Sequence, residues 1–249
     1  AKRTARPVKL FLTREEVFLN AGNRPANTMK VKIGGKKDGT LTAIEFSSIG
    51  SGGAYPNGAD TSFLATDLYT CPNVATVDEN VAINAGRARA MRAPGFPQGA
   101  WALEQAMDEL ALKLGMDPVA LRLANVPKVS QRRGNLPYTS TGLAECLSGG
   151  AKAFGWETTR AARKDDGPIR RGYGVAAGMW GYGGGPPATV VVKLFADGSV
   201  NVNSGAADIG TGTKTVMAQT VAEELGVPLE KIQIEHADTG TTQYSGPSG

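Results

Sequence analysis

Histidine is nearly missing from this chain of 249 residues: His236 stands alone, and Cys71 and Cys146 are the only cysteines. A zinc site needs three or four His, Cys or carboxylate ligands at set spacing. A Ser-His-Asp triad needs a placed imidazole, and a four-cysteine iron–sulfur cluster needs its thiolates. All three are under-supplied, so difficult chemistry here has to come from a bound cofactor. Two cysteines so far apart are more often unpaired and buried than bridged. Long apolar runs are lacking too, none approaching the ~18–20 residues that span a bilayer. The basic stretch Ala1–Pro7 has no hydrophobic segment after it, unlike a signal peptide. Cytoplasm is the expected compartment, with the periplasm second. Neither end, Ala1-Lys2-Arg3-Thr4 nor the loop-like run to Gly249, looks like a natural terminus, and the expectation is a piece of a longer polypeptide. Positive charge is thin. The net charge is +4, and Arg87, Arg89 and Arg92 form the densest arginine group. A nucleic-acid binder shows a longer basic stripe with interleaved aromatics, so nucleic acid is not an expected partner.

Glycine is what the chain has in excess, 33 residues or about 13% against a usual ~7%. The glycines gather at 50–53, 181–185 and 205–212, where tight backbone geometry is wanted. Apolar residues at 41% and charged residues at 20% suit a globular chain able to bury a core.

Val8-Lys9-Leu10-Phe11-Leu12 reads as a strand. Thr13-Arg14-Glu15-Glu16 is a capping box opening a short helix. Residues 27–35 and 40–49 alternate apolar and polar around Lys37-Asp38-Gly39, a hairpin pattern. From Gln98 to Leu114, Trp101, Leu103, Met107, Leu110, Ala111 and Leu114 recur at helical spacing, and Gly115 supplies the stop. Asp117 before Pro118 caps a second short helix reaching Asn125. Residues 126–140 look like a loop, and Leu143 to Ala153 like a helix. Lys164-Asp165-Asp166-Gly167-Pro168 is the best boundary. Beyond it, Thr189 to Phe195 and Ser199 to Asn203 form a hairpin. The Gly205–Gly212 loop, a helix over 213–225 and a strand Ile232–His236 follow. No internal repeat stands out.

Two loops are candidates for chemistry. Gly210-Thr211-Gly212-Thr213-Lys214-Thr215 opens a helix whose free N–H groups and positive dipole end favour an anion. It matches neither the Walker pattern nor the dinucleotide fingerprint, and a plain structural turn explains it as well. Arg89-Ala90-Met91-Arg92-Ala93-Pro94-Gly95-Phe96-Pro97-Gln98-Gly99 is a rigid loop at a helix start, where an arginine can clamp an oxyanion. A solvated or salt-bridged Arg92 is the plainer reading.

Together these loops resemble, in order and spacing, the large subunit of the xanthine dehydrogenase/aldehyde oxidase family of molybdenum hydroxylases. Residues 87–99 resemble the family's Arg-Ala-Pro-Gly/Arg-Gly-Phe-Gly-Gly-Pro-Gln segment, followed by a helix like Leu103-Glu104-Gln105-Ala106-Met107-Asp108-Glu109. Residues 205–215 resemble its Gly-x-x-x-Met-Gly-Gln-Gly segment, and Val227-Pro228-Leu229-Glu230-Lys231-Ile232 its sequel. The opening from Arg6-Pro7-Val8-Lys9 to Glu16 resembles the stretch after the family's Gly-Gly-Phe-Gly-Gly-Lys motif. The resemblance runs essentially end to end.

It implies an α+β fold, mixed sheets with flanking helices in two molybdopterin-binding-type subdomains, 1–165 and a truncated 166–249. It implies a molybdenum–molybdopterin cofactor, in bacteria commonly the cytosine dinucleotide form. The activity implied is hydroxylation of an aldehyde or N-heterocyclic aromatic, with water as the oxygen source and a carboxylate base. Electrons would leave through iron–sulfur and FAD domains or subunits. By position, Arg92 is the residue expected nearest the molybdenum. Ala93 borders the metal or substrate, and Pro94, Trp180 and Tyr182 line the substrate channel. Gly210, Thr211, Gly212, Ser245 and Ser248 hold the cofactor. Thr211 stands where many members have glutamine, which puts one cofactor hydrogen bond in doubt. Ala93-Pro94 removes a phenylalanine that flanks planar heterocycles, which disfavours a purine. The family's Gly-Gly-Phe-Gly-Gly and catalytic Gly-x-Gly-Glu motifs are absent, and Glu104, Glu109, Glu223 and Glu224 look like solvated helix charges. The segment alone is therefore expected to be inert. The rivals are a scaffold subunit without cofactor and an anion- or nucleotide-binding module.

Overall fold

The Thr13/Glu16 pair opens the first regular element of the computed structural model, which describes residues 2–55, 58, 60–162, 167–180 and 187–246. Helix α1 (Arg14–Asn20) carries the expected capping box, Glu16 N–H donating to Thr13 Oγ1 and Thr13 N–H to the Glu16 carboxylate. It buries no residue. The segment before it is not a strand, contrary to expectation: Val8–Leu12 forms no ladder, and Leu10 and Phe11 are 82% and 77% exposed. Apolar content makes a strand only when a partner takes up the backbone hydrogen bonds, and none among the described residues does.

Strands β1 (Asn27–Gly35) and β2 (Leu41–Gly53) form the predicted hairpin, antiparallel from Asn27 opposite Gly50 to Gly35 opposite Leu41. Its turn is tied by the Thr40 N–H donating to Asp38 Oδ1 at 2.9 Å. The inner face of β2 is Leu41, Ile44, Phe46 and Ser48, all buried. Helix α2 (Phe63–Asp67) then carries the chain back to β3 (Val74–Ala82), which pairs parallel to β2 and gives the order β1-β2-β3.

Helix α3 (Phe96–Leu114) covers this sheet with Leu103, Met107, Leu110 and Ala111, packed on Leu41, Ile44, Phe46, Leu64 and Tyr69. Truncating Leu103 or Met107, both fully buried, to alanine costs about 2–5 kcal/mol. Trp101 is not in that stripe; it is 68% exposed. Two residues before Leu103, at about 100° per residue, it sits on the opposite side of the helix. Helix α4 (Pro118–Leu123) follows under the Asp117 cap. The predicted loop 126–140 contains a short ladder, β4 (Val129–Ser130) against β5 (Leu136–Pro137). Helices α5 (Leu143–Phe154) and α6 (Trp156–Ala161) complete this region. Both cysteines are free, Cys71 buried in the core and Cys146 exposed on α5.

The chain divides into two units, Ala1–Trp180 and Gly181–Gly249. The second has its own sheet. Strands β6 (Val190–Leu194) and β7 (Val200–Ser204) pair antiparallel, α7 (Thr213–Leu225) crosses over, and β8 (Ile232–His236) pairs parallel to β7. The order β6-β7-β8 repeats the topology of β1-β2-β3: a hairpin, a helical crossover and a parallel third strand. The architecture is α+β. Among the described residues no helix is long and apolar enough to cross a membrane.

Candidate functional site

The Arg92 loop is defined by its backbone. Arg92 and Ala93 take positive φ of 20° and 51°, and Gly95, the N-cap of α3, takes 82°. Non-glycine residues in that region cost on the order of 1–3 kcal/mol each and persist only where neighbours enforce them. One neighbour is the chain at Asp60: a Cβ on Gly95 would lie 2.0 Å from the Asp60 carbonyl oxygen, so only glycine fits. Another is Arg24, whose Nη2 donates to the Arg92 carbonyl at 2.7 Å. Ala93 and Pro94 are half-buried and Arg92 exposed. The Arg92 guanidinium has no hydrogen-bond or ion-pair partner among the described residues. Gly95 offers α3 no side-chain cap. The loop thus presents a loose cation beside an uncapped helix N-terminus, both attractive to an anion.

Trp180 lies beside this loop. It is 44% exposed and stacks edge-on against Phe96, the first residue of α3, with ring centroids 5.0 Å apart and planes at 68°. The structure therefore brings Pro94 and Trp180 to the same end of α3. Tyr182 and Ser248 lie outside the described residues. The 690 Å³ depression across β1, β2 and the start of β3, lined by Lys32, Asn73 and neighbours, contains none of the sequence-predicted residues.

In the second unit, Gly210 and Gly212 have φ of 96° and 76°, and a Cβ on either would meet nothing within 4 Å. Glycine is required there by backbone conformation, and the space in front is open. The amides that the sequence left free for an anion are not free. Asp208 Oδ1 accepts from Gly210 N–H at 2.8 Å and Gly212 N–H at 3.3 Å, and Oδ2 from Lys214 N–H at 3.4 Å. These amides hold the Asp208 carboxyl below the usual carboxylate range. The hydroxyls of Thr211 and Thr213 lie 2.9 Å apart. Ser245 is close to the start of the loop, since a Cβ on Gly205 would sit 3.0 Å from its backbone nitrogen.

Glu104 overturns its expected role as a solvated helix charge. It is 5% exposed, and Arg122, which pairs with it, is 0% exposed. Oε1 accepts from Tyr69 Oη at 2.7 Å. Oε2 accepts from Arg122 Nε at 2.8 Å and from the Ala177 N–H at 2.7 Å. Arg122 Nη1 also meets Asp108 at 2.8 Å. Burial, then the Glu104 charge, pushes the Tyr69 phenol far above its ordinary value. Glu104 lies next to Leu103 and three residues before Met107, on the buried side of the helix, and that spacing is the sequence signal for its burial. Glu109, Glu223 and Glu224 are exposed as expected.

Comparison with known proteins gives this geometry its context. A family model described as a molybdopterin cofactor-binding domain matches residues 1–126, and a second of the same description matches 150–249. The aldehyde oxidoreductase molybdenum-binding subunit PaoC of Escherichia coli (strain K12) is 36% identical over 253 residues, covering 100% of this chain and 34% of its own length. The putative xanthine dehydrogenase molybdenum-binding subunit XdhA of the same organism is 36% identical over 252 residues, covering 96% and 33%. The solved aldehyde oxidoreductase from Desulfovibrio gigas matches with a TM-score of 0.75 and 32% identity, over 91% of this chain and 26% of that one. Quinoline 2-oxidoreductase from Pseudomonas putida 86, at 21% identity and a TM-score of 0.76, shares the fold. The chain belongs to the molybdopterin-binding subunit family of the xanthine dehydrogenase/aldehyde oxidase molybdenum hydroxylases. It spans about one-third of the length of these curated relatives.

The residues present suit such a group. A molybdenum–pterin is a large anion with oxygen and phosphate acceptors, and the first unit offers it the Arg92 guanidinium and the uncapped start of α3. Taken by itself, the second unit has an open glycine face and threonine hydroxyls, while Asp208 keeps three of the nearby amides.

Proposed function

We propose that this chain is part of a molybdenum hydroxylase that oxidises an aldehyde or an N-heterocyclic aromatic with water as the oxygen source. Electrons pass to iron–sulfur and FAD centres on other domains or subunits. When bound, the molybdenum–pterin cofactor, in its cytosine dinucleotide form, supplies the two-electron oxidation. This chain's residues orient and stabilise. Arg92 presents a fixed positive charge to the oxygen that gains charge during the reaction. Ala93 and Pro94 border the substrate, and Trp180 and Tyr182 wall its approach. With Ala and Pro at 93 and 94 the loop itself brings no phenylalanine ring against the substrate, which favours an aldehyde over a purine. Gly210, Thr211, Gly212, Ser245 and Ser248 hold the pterin and its phosphate. The proton goes to a base outside this chain, because Glu104 is committed to Arg122 and Tyr69 and Glu109, Glu223 and Glu224 are solvent-facing. By itself the 249-residue chain does not turn substrate over.

The Arg92 loop carries this reading: a strained backbone at a helix start without a side-chain cap, holding a guanidinium that has no partner among the described residues. In the complete enzyme, Arg92→Ala is expected to lower kcat by roughly 10²–10³-fold while molybdenum and pterin contents stay at wild-type levels. Unchanged turnover would instead mark a scaffold role. Absence of molybdenum and pterin from the purified enzyme would point to a nucleotide- or anion-binding module.

A further inference from the structure

We propose that Arg24, braced by Gln98, is the positioning residue for the Arg92 loop. Its guanidinium spans two ends of one short segment. Nη2 donates to the Arg92 carbonyl at 2.7 Å, and Nη1 donates to Gln98 Oε1 at 3.1 Å. Gln98 turns its other atom back to the chain that carries Arg24, Nε2 donating to the Pro25 carbonyl at 3.3 Å and lying 3.5 Å from Asn27 Oδ1. The result is a closed ring: Arg24 to Arg92, along the backbone to Gln98, and back to Pro25. Between its anchors lie the positive-φ residues Arg92, Ala93 and Gly95 and the first turn of α3.

The flanks are tied to the same neighbour. The Arg89 N–H donates to the Asn23 carbonyl at 3.0 Å, and Asn23 forms an isolated bridge with Ala88. Among the described residues the backbone bonds of the ring's non-helical part are Phe96 N–H to the Ala93 carbonyl at 3.1 Å and, at the helix start, Gly99 N–H to the Gly95 carbonyl at 3.0 Å. Without outside anchors, non-glycine residues relax to right-handed or extended backbone. The Arg92 carbonyl is the atom that must be held to keep its peptide turned, and Arg24 holds it.

An arginine suits this task for reasons of shape. Its planar fork reaches two acceptors at a fixed separation, which the point-like ammonium of lysine does not. Its partners are a carbonyl and a neutral amide, and no carboxylate pairs with it among the described residues. Arg24 therefore leaves its charge uncompensated beside Arg92, in keeping with an anion at the loop.

This inference rests on the role given to Arg92 above, and the experiment separates the two. In the complete enzyme, Arg24→Ala is made alongside Arg24→Lys, Gln98→Leu and Arg92→Ala. Amide hydrogen exchange is measured over residues 89–99, together with molybdenum content, kcat and KM. Arg24→Ala is expected to speed exchange across Ala93–Phe96 by an order of magnitude. It lowers kcat about tenfold or more, with KM and molybdenum content unchanged. Added guanidinium ion restores part of kcat in Arg24→Ala, and Arg24→Lys recovers less than half of it. Wild-type exchange in Arg24→Ala overturns the clamp. Faster exchange with wild-type kcat overturns the positioning role when Arg92→Ala is inactive. If Arg92→Ala is fully active too, the failure belongs to the assignment of Arg92. Should Arg24→Ala not fold, Gln98→Leu decides: a smaller shift of exchange and kcat in the same direction supports the clamp, and wild-type values overturn it.

Discussion

Asp117 serves four donors with two oxygens. Oδ1 accepts from the Val119 and Ala120 amides at 2.8 and 3.0 Å, and Oδ2 from Trp156 Nε1 at 2.8 Å and Arg160 Nη1 at 2.7 Å. Burial alone pushes its pKa up, but the indole, the two amides and Arg160 together hold it below the usual carboxylate range. A carboxylate with a depressed folded pKa stabilises the fold above its unfolded pKa, near ~4, and loses that contribution as pH falls through the folded value. Asp117→Ala is expected to reduce unfolding free energy by about 1–2 kcal/mol at pH 7, measured by urea titration. The deficit should narrow as the pH is lowered below about 4; an unchanged deficit at pH 3 would contradict it. Of this residue's work, the cap was legible from Asp117-Pro118, because a cap is local. The tie to Trp156 and Arg160, some forty residues on, was not. The same limit hid Arg24, whose partners in the Arg92 loop are 68 and 74 residues away.

At the scale of elements, periodicity was a good guide wherever an element carries its own signal. Helix α3 was expected from Gln98 and starts at Phe96, while α7 and the β1–β2 and β6–β7 hairpins fall within a residue or two of expectation, apart from the longer tail of β2. Elements that depend on partners carry no such signal of their own. Strand β3 (VATVDENVA) has polar residues at Asp78, Glu79 and Asn80, and only its parallel pairing with β2 makes it a strand. Val8–Leu12 has the composition and lacks the partner. Glu104 shows the same dependence in a side chain: its charge is tolerated inside because Arg122, Tyr69 and the Ala177 amide surround it. Glu104→Ala, which leaves the fully buried Arg122 with Asp108 as its remaining carboxylate among the described residues, should lower stability by about 3–5 kcal/mol and release the segment at Ala177 to rapid hydrogen exchange. A loss below 1 kcal/mol would show that Asp108 alone compensates the Arg122 charge.

For the whole molecule, each unit builds the same three-stranded pattern, and in each a glycine run closes or follows the central strand, at Gly50–Gly53 and Gly205–Gly212. No sequence repeat announced this, since a hairpin plus crossover needs only alternation and a helix, which many sequences satisfy. The candidate site was legible as motifs. The backbone strain at Arg92 and the filling of the second loop's amides by Asp208 were not, because both depend on where the chain folds back.

The two cysteines differ in a way that makes this chain its own reporter. Cys71 sits at 3% exposure among core residues, and burial pushes its thiol up, while Cys146 faces solvent on α5. A maleimide dye should label the native chain once, at Cys146, within minutes, and add a second label only in denaturant. Two rapid equivalents under native conditions would contradict that. Because Cys71 adjoins the helix–sheet contact beneath α3, the rate of the second labelling becomes a stopwatch for how often that core breathes open.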